Sequence, residues 1–450
     1  MNSFNHNHYE DQKLNTGLND LELLKEKIRK RREEGKVFQL DNKITVIWRK
    51  PEQKNDTISS SKAATKTDST KDFEYFQIVF KCGQKDGVAL NSVPHMAEHV
   101  ILSRKKWYDK LIETVGDING IATKFLTYYP SKKLKSVMPE KTVEAVENTI
   151  GMLFDRNFDK EAFEIEKEIV IAEDAAKRSE IGYDVREEFT KKIGFRYNYN
   201  EDLERVTLED VERFIEEHYI PEKMIINLIC SEDNLKSIIN ILNKLPKSTK
   251  ITETVVMRRE FSKPDFPKTK GFVKRDVEYE HWKIGEVDWF FEAPNELASD
   301  RQAFSICCSI LNKRLSDVLY NFPAHSFGCI FDPTYDYGVV DIYIGRMLPK
   351  NINRAIEIIK NEIEKIKYGV TEKEIEFVKQ KIKKNWLSDL SDESSTISIL
   401  FDELVIGGLP PEERLDRFFN ITPESVVETA KKYFDFDNSM LVVSSSKKQK

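Results

Sequence analysis

No stretch of this 450-residue chain reaches the roughly 18 consecutive apolar residues that a membrane-spanning helix needs, so no transmembrane segment is expected. The opening residues, MNSFNHNHYEDQKLN, also lack the apolar core of a secretory signal. Cysteine is scarce: Cys82, Cys230, Cys307, Cys308 and Cys329 are odd in number, sit in apolar contexts and show no zinc-knuckle spacing. A disulfide framework is not expected, the adjacent Cys307 and Cys308 read as core residues, and a reducing, cytoplasmic location fits. Positive charge is not in excess either. The 71 Lys and Arg face 77 Asp and Glu, a net charge of −6, which argues against a nucleic-acid binder. Histidine is rarer still, with seven in the chain.

What is present is enough apolar material, 40% of residues with 11% aromatic, for the sizeable cores of two or three domains. Residues 1–36 read as an N-terminal helical extension. Within it, TGLNDLELLKEKIRKRREEGK has a partial apolar stripe of Leu21, Leu23, Leu24 and Ile28 and a stop at Gly35. Its role is left open between a dimer contact and a lid. VFQLDNKITVIWR reads as a hairpin turning at Asp41–Asn42, residues 51–71 as a polar loop, and FEYFQIVFKCG as a strand. Helices are expected over 131–156 and 158–180. VTLEDVERFIEEHY forms a third helix capped by Thr207, followed by the buried strand MIINLIC.

The C-terminal ITPESVVETAKKYFDFDNSMLVVSS repeats that cap, helix and strand. Thr207 matches Thr422, Val211 matches Val426 and Tyr219 matches Phe434, all at an offset of 215, which suggests a duplicated unit. Two unrelated modules of the same type would also produce such a match. The Pro-, Lys- and Thr-rich stretch at 249–272 is the expected linker between a first half at 37–248 and a second half at 273–450. Strands mixed with helical pairs in both halves give an α+β class.

The chemistry concentrates in NSVPHMAEHVILS. On a helix begun by Pro94, His95 and His99 lie one turn apart on one face and can share a metal ion. Glu98 sits on the flank of that face, where a carboxylate can take a proton from water polarised by zinc. This is the H-x-x-E-H arrangement. A catalytic zinc needs a third protein ligand. EAFEIEKEIVIAEDAAKRSE, apolar at Phe163, Ile165, Ile169 and Ile171, offers Glu166 and Glu173, seven residues apart and so on the same side of a helix. One can bind metal while the other supports the site, although a helix this acidic often carries such a pair solvated. His218 and His281 have no partner at ligand spacing, and His6 and His8 lie in a polar start.

HMAEH, with EKEIVIAED placing Glu173 74 residues after His99, resembles the insulinase/pitrilysin zinc metallopeptidases, the inverzincins. In length the chain is similar to the mitochondrial processing peptidase subunits and their bacterial relatives. VFQLDNKITVI, FKCGQKDGVALNSVPHMAEH, GDINGIATKFLTYY, SILNKRLSDVLY and GVVDIYIG extend the resemblance over residues 37–445. It implies two homologous halves, each an antiparallel sheet packed against helices, closing as a clamshell. It implies that His95, His99 and Glu173 bind Zn2+, that Glu98 is the general base, and that Glu166 is a supporting acid. It also implies that an edge strand near Asn119–Lys124, with Asn119, Gly120, Ala122 and Thr123, pairs with an extended peptide.

One departure stands out. Active members usually carry an Arg and a Tyr in the second half, where this sequence has LYNFPAHSFG. Tyr320 stands at the Arg position and His325 near the Tyr. Either these two residues replace the pair in contacting substrate, or a homologous partner subunit (or a second copy) supplies it. The resulting expectation is a zinc-dependent endopeptidase for peptides or short unfolded precursor segments, acting as the catalytic subunit of two chains. The alternative is a catalytically silent peptide-binding or structural subunit. A phosphoesterase would need more carboxylates and a second metal.

Overall fold

Short runs such as TVIWR, YFQIVF and MIINLI are rich in β-branched and aromatic residues and too short for helices of three turns, so they form strands. A computed structural model describes residues 18–51, 74–87, 90, 92–116, 119–123, 125–130, 139–179, 203–247, 271–277, 284–333, 338–390, 395–406 and 409–446. His6, His8, Lys124, His281 and all but the last two residues of the expected linker lie outside them.

In order, the first elements are α1 (Leu18–Glu33), β1 (Gly35–Gln39), β2 (Thr45–Arg49), β3 (Tyr75–Phe80), α2 (Val93–Leu102), α3 (Lys105–Val115), β4 (Ile121–Ala122), β5 (Thr127–Pro130), α4 (Pro139–Phe154), α5 (Lys160–Ser179), α6 (Leu208–His218), β6 (Met224–Ile229) and α7 (Glu232–Leu242). There follow β7 (Gly271–Val277), β8 (Gly285–Ala293), α8 (Arg301–Leu319), β9 (Ala324–Pro333), β10 (Gly338–Met347), α9 (Ile352–Tyr368), α10 (Glu372–Asp389), α11 (Ser395–Phe401), α12 (Pro411–Phe419), α13 (Pro423–Tyr433) and β11 (Ser439–Ser446).

The strands form two sheets, β1-β2-β6-β3-β5-β4 and β7-β11-β8-β10-β9. Apart from β1, the two orders are the same. Each has one parallel pair, β2 with β6 and β7 with β11, and is otherwise antiparallel. The fold is thus α+β with two related halves. Thr207 and Thr422 each close a capping box at nearly identical backbone angles, and each helix is followed by a 3-10 turn and then an inner strand of its sheet, β6 or β11. Lys167 on α5 donates to the carbonyls of Glu204 and Val206, just before Thr207, while Lys379 on α10 donates to those of Phe419 and Ile421, just before Thr422. Aligning these two lysines sets Glu166 against Val378 and Glu173 against Asn385, so the second half has neither carboxylate.

One core lies between the first sheet and its helices, and a second, which includes Cys307 and Cys308, lies under the second sheet. The opposite face of the first sheet is covered from the second half: Ile397, Leu400 and Phe401 of α11 pack on Ile47, Val79, Phe125, Leu126, Ile225 and Ile229. The N-terminal helix joins this contact. Leu24 and Ile28 of α1 pack with Leu390, Ile399 and Leu415, while Arg32 pairs with Glu403 and Glu412 and Lys25 pairs with Asp416. Of the expected stripe, Leu21 is partly buried and Leu23 is exposed. Within the chain α1 is therefore a strap that docks on the second half and ends beside β1. Ile28→Ala, which empties a fully buried site, is expected to cost about 2–5 kcal/mol, read by urea unfolding.

Candidate metal centre

Helix α2 buries Val93, Met96, Ala97, Val100 and Ile101 against the core. These recur at the three- and four-residue spacing of a helical stripe, so His95 and His99 emerge on the side that meets α5. Pro94 occupies an early position, where its missing N–H removes no helical bond. On α5 the buried stripe runs through Phe163 and Val170, and Glu166 and Glu173 each follow one of these by three positions, facing α2. The apolar residues Ile165 and Ile169 of the same helix are exposed. Ile171 packs partly buried against the same core, and the acids take up the adjoining line.

The fold brings His95, His99 and Glu173 together. One donor atom from each lies within 4.8 Å of the others. Glu173 Oε2 is 3.9 Å from His95 Nε2 and 3.8 Å from His99 Nε2. The imidazoles stand edge to face, with centroids 4.8 Å apart. Ligands in a tetrahedral zinc site, at about 2.0–2.1 Å from the ion, are separated by about 3.3 Å, so on a metal the two edges to Glu173 would contract by about half an ångström and the edge between the imidazoles by up to about 1.5 Å. The donors are also of the right kind, two imidazoles and a carboxylate. Glu166 Oε2 lies 3.2 Å from His99 Nδ1. An ionised carboxylate can only accept there, so the contact suits a ring with its proton on Nδ1, the tautomer whose Nε2 can ligate a metal. Glu98 lies outside the triangle, with Oε2 4.0 Å from His95 Nε2, and is 5% exposed. Asp174, the neighbour of Glu173, is buried and outside the cluster.

Sequence reasoning did not single out the layer nearby. Tyr129 and Tyr219 are fully buried with their hydroxyl oxygens 2.7 Å apart, and Tyr219 stacks on Phe80. Burial foremost pushes both hydroxyls well above the ordinary tyrosine range, and the charge of Glu98 adds to the shift. Both therefore stay neutral, and no second negative charge forms there. TYY in the sequence hinted at this only as an alternation.

Among the peptide-edge residues, β4 is the end strand of its sheet and packs on α2. Ile121 is exposed, and Asn119, Ala122 and Thr123 are half-buried. Thr123 is held in place: its N–H and hydroxyl donate to Leu126 O, and its carbonyl accepts from Gln84 N. Tyr320 and His325 lie elsewhere in the fold. Tyr320 ends α8 and is 81% exposed, and His325 is exposed near the start of β9, the end strand of the second sheet. Neither belongs to the donor cluster. His218 packs on Phe214, with Nδ1 2.5 Å from Lys223 Nζ.

These features place the chain in a class, α+β proteins built from two like-folded halves of which one carries a metal-type donor set. Comparison with known proteins narrows it. Residues 205–382 match the family model described as Peptidase M16 inactive domain. A protease from Helicobacter pylori has a similar structure (TM-score 0.71, 17% identity, 91% of this chain and 99% of that one). So does a peptidase M16 inactive domain from Pseudomonas fluorescens (TM-score 0.72, 14% identity, 92% and 99%). The periplasmic protease PqqL from Escherichia coli is similar at a TM-score of 0.67 and 15% identity, with 92% of this chain covering 47% of that one. No curated protein sequence matches. The architecture is that of M16-type peptidases, and the family's sequence pattern is recognisable over residues 205–382. No helix among the described residues is long and apolar enough to cross a membrane.

Proposed function

We propose that this chain is a zinc-dependent endopeptidase of the inverzincin type, similar in form to the short processing-peptidase subunits, and that it cleaves peptides or short unfolded segments. The observation that carries this reading is the convergence of His95, His99 and Glu173 with Glu98 beside them. Zinc held by these three side chains would supply Lewis acidity, polarising a peptide carbonyl and making water more acidic. Glu98 accepts the proton of the attacking water and passes it to the departing amine nitrogen. Glu166 holds His99 in the ligating tautomer. The β4 edge receives an extended peptide by backbone pairing. A folded protein has few segments that can add to an edge in this way, which favours peptides and unfolded stretches.

A second reading is a catalytically silent subunit of the same family, favoured by the word "inactive" in the description of the matched family. That match starts at residue 205, after Glu173 and all the other first-half site residues, and runs over the end of the first half and much of the second, so it does not cover the donor set. In the second half, Val378 and Asn385 stand where the first half has its carboxylates.

The exposed positions of Tyr320 and His325, neither in the donor cluster, support a two-chain enzyme in which a homologous partner donates to the transition-state oxygen. The Escherichia coli protease has about twice the length of this chain, in keeping with a pair of such units. Metal analysis of the purified chain, followed by cleavage of an unstructured peptide with and without its homologous neighbour, tests the proposal. One zinc per chain and activity only with the neighbour are expected. Full turnover by the chain alone overturns the two-chain form, and absence of zinc overturns the metal reading.

A further inference from the structure

Gly120 has no conformational reason to be glycine. Its φ lies outside the left-handed region; among the described glycines Gly116 is the one whose φ lies there. Space is what it lacks. A Cβ built at Gly120 would lie 2.3 Å from both Cγ and Oε1 of Glu98 and 2.5 Å from its Cδ, and these are its three nearest atoms. The closest obstacle is therefore one side chain. Because the contact reaches Cγ and Glu98 is buried, an added methyl would move the entire carboxylate.

We propose that Gly120 is a positioning residue for Glu98: the backbone leading into the edge strand β4 is the wall against which the carboxylate rests. The proposal builds on the reading of Glu98 as general base. A second, independent observation comes from the other half. There the topologically equivalent helix α8 holds the equivalent end strand β9 through one polar side chain, Asn312. Its Nδ2 donates to Cys329 O at 2.9 Å, and its Oδ1 accepts from Cys329 N–H at 2.8 Å. In both halves a polar residue of this helix is thus fixed against the end strand. In the second half it is an amide bonded to that strand. In the first half it is a carboxylate kept in reach of His95 by a strand without a side chain at that point. The strand that would receive the peptide and the base that would act on it are one mechanical unit, so the scissile bond and the proton acceptor are held to a common reference.

A thermal double-mutant cycle on the metal-free full chain tests this without any activity. Gly120→Ala is expected to lower Tm by several degrees when Glu98 is present and to leave it unchanged in a Glu98→Ala background, where the colliding atoms are gone. Equal losses in both backgrounds overturn the proposal. In the zinc-loaded, partnered enzyme, Gly120→Ala is expected to keep its zinc and lower kcat by about 100-fold, the effect of displacing a catalytic group by about an ångström. KM should stay within about twofold. Wild-type kcat in this variant, or a change confined to KM, also overturns it. A wild-type enzyme that cleaves nothing defeats the proposed function, whereas the thermal cycle still decides whether Gly120 sets the position of Glu98.

Discussion

Glu98→Gln is expected to bind zinc as the parent does, to fold as stably, and to lose cleavage by a factor of about 10²–10⁴, the usual contribution of a positioned general base. The substitution keeps the size and shape of the side chain, so the contact with Gly120 and the 5% exposure of the site are preserved. What is lost is an oxygen able to take a proton. Because Glu98 lies 4.0 Å from His95 Nε2 and outside the donor triangle, metal content should not change. Zinc analysis beside a peptide assay separates the two roles: unchanged cleavage removes Glu98 as the base, and lost zinc makes it a ligand.

Glu173→Ala should weaken zinc binding by more than about 100-fold, because it removes one of three protein donors. Glu166→Ala removes only the partner of His99 Nδ1 and should weaken zinc within the 10–100-fold range of outer-shell partners. The order of the two effects carries the information. Both glutamates lie on one helix face, and either could have been the ligand from spacing alone. In the structure Glu173 approaches both Nε2 atoms while Glu166 approaches His99 Nδ1. Competition with a chelator measures both variants. A larger loss from Glu166→Ala would reverse the assignment, and full zinc retention by Glu173→Ala would shift it to Asp174, which is buried and outside the cluster.

Particular residues show how far local pattern reaches. The Thr207 and Thr422 caps, the hairpin through Asp41–Asn42 and the Met224–Ile229 strand follow from residue types within a few positions of one another, and they fold as read. On α5 the apolar Ile165 and Ile169 are exposed, because an apolar residue in a helix does not itself say which line of the cylinder meets the core. The partner of α1 was out of reach. Ile28 packs with residues far along the chain, at Leu390, Ile399 and Leu415, and no spacing within the helix encodes that contact. Tyr320 and His325 were placed by resemblance in a stretch of unequal length, and the fold sets them at the end of α8 and the start of β9.

The sequence by itself determined that His95 and His99 share a face with Glu98 on its flank, and that Glu166 and Glu173 share another, because a helix of 3.6 residues per turn allows nothing else at those spacings. Only the tertiary structure decided that the two faces meet, which glutamate reaches which ring nitrogen, and that Gly120 from a third element presses on Glu98. Those contacts join α2, α5 and the lead into β4, and packing of the Val93–Ile101 and Phe163–Val170 lines into one core sets their relative height and rotation. That packing depends on side-chain volumes summed across the half, which no single motif contains.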